Sequence, residues 1–210
     1  MKSDLVKSLF KYILEAAIVA FGVVLGLYLS EQNAQSKTNE NTKVALNYIV
    51  QELRANRELL IQAKEYHKKI SVEFDSLSKT ATAADLEQVY YTNDKFKHFK
   101  LPGWQGVGTA KVKSIIYESA KLSGVLQELN ITTIQNIAEV YETLDSYKNL
   151  SKTAMDGLLN VGASTKVADV FRVFELMKYD IQSFEGFLIE HLDEKADELE
   201  RTLETQSYRK

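Results

Sequence analysis

The chain has 210 residues, 45% of them hydrophobic and 26% charged, and a net charge of −3. This is globular composition and excludes wholesale disorder. Cysteine is absent, which excludes disulfides, thiolate catalysis and Cys-ligated metal centres.

The first predicted element is an apolar stretch, "YILEAAIVAFGVVLGLYL", Tyr12 to Leu29, whose one charged side chain is Glu15. As a helix it covers roughly 27 Å, close to the ~30 Å hydrocarbon core of a bilayer. Tyr12 and Tyr28 bracket it as interfacial aromatics do, and the polar run "SEQNAQSKTNENTK" that follows does not fit a buried core helix. No A-x-A pattern marks a cleavage site near Leu27 to Ala34. The expectation is a retained transmembrane anchor over residues 12–30, with the lipid bilayer as its first partner.

Lys2, Lys7 and Lys11 precede the span against one Asp4, whereas Glu31, Lys37, Glu40 and Lys43 balance after it. The positive-inside rule then puts residues 1–11 in the cytoplasm of a bacterium and the body in the periplasm. Without Lys2, Lys7, Lys11, Asp4 and Glu15 the rest holds 23 basic and 27 acidic residues. A mildly acidic body argues against a nucleic-acid partner. Within the span, Glu15, Val19, Gly22 and Gly26 fall on one helical stripe, and Gly22 and Gly26 form a GxxxG pattern that allows close helix approach. Two readings are open: a helix–helix interface in the membrane that pairs Glu15, or a wet Glu15 at interface depth beside Lys11.

A polar linker (31–41) leads to a helical domain expected over 42–206. From Thr42 to Lys79 the positions Leu46, Ile49/Val50, Leu53, Leu60, Ala63, His67, Ile70, Phe74 and Leu77 recur near a 3.5-residue period, with weak points at Asn56/Arg57 and His67. This predicts one long helix, either a coiled-coil stalk or the first helix of a bundle. A short helix follows over Ala83 to Tyr91.

The least regular region is "YYTNDKFKHFKLPGWQGVGTA", Tyr90 to Ala110, which holds the chain's single proline, Pro102, and its single tryptophan. Phe96, His98, Phe99 and Trp104 make it the candidate partner-binding loop. The alternative is a lid whose aromatics tuck over the bundle's end.

Thr109 to Ser123 reads as a helix closed by Gly124. Asn130 is placed to cap a long helix from Ile131 to about Asn160. Gly162 breaks the pattern and Ser164 is expected to cap a last helix from Thr165 to about Gln206. The fold class is therefore all-α: a single N-terminal transmembrane helix, then an antiparallel bundle of about four long helices.

"YESAKLSGVLQEL" (from Tyr117) and "YETLDSY" (from Tyr141) resemble the "Y-E-x-L-x-x-S-G-x-L" and later "Y" signature of a family of uncharacterised bacterial single-span membrane proteins. The span "EAAIVAFGVVLGLYLSEQN" is similar to that family's opening segment, although Gly26 stands where alanine is frequent and a tryptophan after the span is missing. The resemblance covers most of the chain in order. It implies topology, since the family has no established activity.

His67, His98 and His191 form no H-x-x-x-H or Glu-x-x-His set, and neither a P-loop nor a G-x-S-x-G occurs. No catalytic, cofactor-binding or metal-binding residue is assigned, and no cofactor is expected. The expected function is a non-enzymatic membrane-anchored interaction or scaffold protein, a homo-oligomer or an accessory subunit partnered with other inner-membrane proteins. The alternative is a periplasmic sensor or ligand-binding module signalling through its span.

Overall fold

The computed structural model describes the backbone of residues 2–205 and the side chains of residues 18–205. The chain divides into two units, with the boundary between Val44 and Ala45. Helix α1 (Lys2–Ser78) contributes to both.

In the first unit the described side chains begin at Ile18. Nine large apolar residues between Ile18 and Leu29 are 44–69% exposed. Among the described residues no helix is long and apolar enough to cross a membrane. The expected span begins earlier, however, and Tyr12 to Ala17, Glu15 among them, lie outside the residues whose side chains are described.

The second unit is a helical bundle. After α1 come α2 (Ala83–Glu87), α3 (Ile115–Leu122), α4 (Ile131–Leu159), α5 (Val167–Glu175), a π-helical turn (Leu176–Ile181) and α6 (Gln182–Thr205). From Ala45 onward α1 is a bundle helix, which decides between bundle and stalk. Its seam residues Leu46, Ile49, Leu53, Leu60 and Ile70 are all but fully buried, each Leu or Ile contributing about 1.5–3 kcal/mol by leaving water. The facing seams are Ile137, Val140, Leu144 and Ala154 on α4, and Val170, Phe174, Ile181, Leu188, Leu192 and Leu199 on α5–α6.

Cross-helix bonds give the directions. Glu52 of α1 meets Tyr141 of α4, His67 meets Glu185 of α6, and Asp75 meets Lys178 of the π turn. So α4 runs parallel to α1, and α5–α6 runs antiparallel to both. The expectation of about four long helices is corrected to three. The fourth place is taken by α3 and by a non-helical segment, residues 105–114, which together run antiparallel to α1.

The helix expected over 109–123 is thus halved. Residues 109–114 are not helical, because side chains of α1 and α4 take the backbone groups a helix would pair internally. Local signals elsewhere work as read. Asn130 caps α4 by accepting from the Thr133 amide at 2.9 Å, and Gly124 adopts φ 77° after α3. The last helix starts at Val167 rather than Thr165. An antiparallel bridge, Val89 with Lys166, holds that stretch extended, and the Asp169 carboxylate accepts from the Lys166 amide at 2.9 Å.

Candidate functional site

The non-helical segment lies along α1 as a strap, and α1 meets it with polar side chains set into its seam. Asn56, fully buried, bonds both backbone groups of Lys113 at 2.7 Å. The Tyr66 hydroxyl donates to the Gly106 carbonyl at 2.6 Å and accepts from the Gln105 amide at 3.0 Å. Further along, the Glu52 carboxylate accepts from the Ile116 and Tyr117 amides at 2.9 and 3.3 Å. Ser114 precedes α3 without a side-chain cap bond, so Glu52 caps α3 from another helix. Tyr141 donates to the same carboxylate at 2.7 Å and stacks on Tyr117 with ring centroids 4.2 Å apart. Burial, and then the bond to Glu52, hold the Tyr141 phenol far above its usual range.

At the centre of the strap sits a buried trio. His67 is 1% exposed, and Glu185 and Tyr147 are fully buried. His67 Nδ1 lies 2.9 Å from Glu185 Oε2, and its Nε2 lies 2.7 Å from the Val107 carbonyl. Tyr147 donates to Glu185 Oε1 at 2.8 Å and accepts from the Ala110 amide at 2.9 Å. A carbonyl only accepts, so His67 Nε2 carries a hydrogen. Nδ1, the other ring nitrogen, faces Glu185 Oε2. Burial, followed by the Glu185 charge, pushes the Tyr147 phenol far upward, so Tyr147 stays a hydroxyl donor.

Chemically the trio is a clamp. Every polar atom of His67 and Glu185 is bonded to a neighbouring helix or to strap backbone, which is how buried polar groups are stabilised. Among the described residues no group of three or more His, Asp or Glu is placed to hold a metal ion.

The loop residues expected to bind a partner separate into two sets. Phe96 is 1% exposed and meets Phe171 edge-on at 5.5 Å. Trp104 packs on Phe174 at 5.3 Å and His98 on Trp104 at 5.4 Å. Phe74 stacks on Phe174 at 5.0 Å and completes this aromatic end. His98 Nδ1 also lies 2.7 Å from the Tyr90 hydroxyl, and burial, with Lys97 close by, lowers its pKa. Only Phe99, 61% exposed, stays on the surface. On the expected membrane stripe, Val19 is 65% exposed, and a Cβ on Gly22 or Gly26 would meet nothing within 4 Å. Glu15 lies outside the described side chains.

The sequence reading passed over Glu52 and Glu185. The signal for Glu185 was its register, four residues after Ile181 and three before Leu188, on the buried stripe. No family model matches the chain, and no curated protein or solved structure matches it.

Proposed function

We propose that the chain is a membrane-anchored helical scaffold, non-enzymatic, in a bacterial inner membrane. Its N-terminus is cytoplasmic and its helical domain periplasmic. The observation that carries the reading is the exposure of Ile18 to Leu29 on every face of the helix. A helix apolar along one stripe suits a groove, whereas one apolar all round suits lipid. The sequence extends this apolar run back to Tyr12, interrupted at Glu15, and Lys2, Lys7 and Lys11 precede it. The resemblance to single-span membrane proteins supports the same topology.

The domain's polar core supports a scaffold rather than an enzyme, because Glu52, Asn56, His67 and Glu185 are all spent on holding backbone and tyrosine partners. Within the membrane the proposed contact is a self-association through Glu15, Val19, Gly22 and Gly26. Where that contact is not made, the same helix joins another inner-membrane protein.

The test is the mass and composition of the native particle after mild-detergent extraction through a C-terminal tag. A multimer of this chain that falls to monomer in G22L/G26L supports self-assembly through the span, and a particle with other subunits supports the accessory role. A lone monomer in every detergent contradicts the scaffold reading.

A further inference from the structure

We propose that the cleft between the C-terminal end of α1 and residues 95–102 binds a small phosphate ester, at a site that does not depend on the membrane anchor.

The cleft has a volume of about 270 Å³, and Lys95, Lys97 and Lys100 line it against one carboxylate, Glu73. These lysines differ from others of the bundle in their partners. Lys148, Lys152, Lys166 and Lys178 each hold a carboxylate at 2.6–2.8 Å. The cleft ammonium groups donate to backbone carbonyls instead. Lys95 donates to Thr80 at 2.7 Å, Lys97 to Tyr90 at 2.6 Å and Tyr91 at 2.9 Å, and Lys100 to Asp94 at 3.1 Å. An ammonium carries three donors, so each of the three keeps at least one for a ligand.

Lys97 is the residue that calls for an anion. It is 7% exposed, and among the described residues its ammonium bonds only those two carbonyls, with the Tyr90 ring 4.6 Å away. A buried charge is costly without an opposite one. The nearby carboxylates leave that place open. Asp85 lies 3.9 Å from Lys95 Nζ, but it is engaged in the α2 cap, accepting from the Thr82 amide at 2.9 Å and hydroxyl at 2.8 Å. Asp94 lies 4.0 Å from Lys100 Nζ with its side chain 92% exposed.

The donor type selects the ligand. A planar carboxylate is best met by the arginine fork, whereas ammonium groups act as compact point charges that suit the tetrahedral oxygens of a phosphate. No arginine lines the cleft, and Leu77, Leu101 and Pro102 give it an apolar wall for the organic part of an ester. Small-molecule sites begin at about 300 Å³, so the cleft suits an ester the size of glycerol 3-phosphate and excludes a nucleotide. Phosphatidic acid presents the same phosphate chemistry as a lipid headgroup.

Titration calorimetry of the full-length chain in detergent, with glycerol 3-phosphate and dihexanoyl phosphatidic acid as separate probes, tests the site. Binding of glycerol 3-phosphate assigns it to a soluble ester, and binding of the acylated probe alone assigns it to a headgroup. With whichever probe binds, K95Q and K100Q should each weaken affinity about tenfold, the loss of one charge-assisted bond. Their side chains are 51% and 56% exposed, so neither change threatens the fold. E73Q, which removes the opposing carboxylate, should strengthen binding, and K152Q should leave it unchanged. The proposal is overturned if neither probe binds at millimolar concentration, if K95Q and K100Q bind as the wild type does, or if E73Q fails to bind more tightly.

Discussion

His67 Nδ1 lies 2.9 Å from Glu185 Oε2, joining α1 to α6 across 118 residues of chain with neither side chain exposed. Removing one partner leaves the other buried without its bond. H67A or E185A should therefore lower stability by about 3–5 kcal/mol. H67L/E185M, which removes both, should cost less than either single alanine. Denaturant unfolding of the four proteins checks the order.

Gly108 packs the strap against the Tyr66 ring of α1. Its φ is +73°, and a Cβ there would lie 2.1 Å from the Tyr66 ring. G108A combines left-handed strain, about 1–2 kcal/mol, with a collision. Gly103 and Gly106 also have positive φ but face open space. The expected order of destabilisation is G108A well above G103A and G106A, read from melting temperatures.

Glu52 caps α3 in place of a local side chain. E52A leaves the Ile116 and Tyr117 amides and the Tyr141 hydroxyl without their acceptor, and should cost about 2 kcal/mol or more. S114A should be nearly silent, because Ser114 supplies no cap bond. Hydrogen exchange at residues 115–122 distinguishes the two, with faster exchange expected in E52A alone.

How much of this was legible from sequence differs by element. The seams of α1, α4 and α6 follow a helical period in Leu, Ile and Val, and Asn130 and Gly124 act through local backbone chemistry, so both kinds of signal survive folding. The strap is different. "TAKVKS", residues 109–114, carries nothing that forbids a helix, and it stays out of one because Asn56 and Tyr147, 57 and 37 residues away, bind its backbone. A tertiary competitor for backbone bonds leaves no local trace. The interruptions of the α1 seam at Asn56 and His67 did mark the site, but they read as weak points until the strap supplied their partners.

His98 gives the aromatic end a pH dependence of its own. Burial, with Lys97 close by, holds its folded pKa below the unfolded value near 6.5. A depressed histidine contributes stability that is present above the unfolded pKa and is lost as pH falls below it toward the folded value. The melting temperature should therefore decline below about pH 6.5. H98Q should remove that decline.

The central claim, that Ile18 to Leu29 belongs to a membrane anchor, is tested most directly by alkaline carbonate extraction of membranes carrying the full-length chain and a V19K/L25K variant. The account predicts that the wild type stays with the membrane pellet and the variant is released to the supernatant. Release of the wild type by carbonate would contradict it.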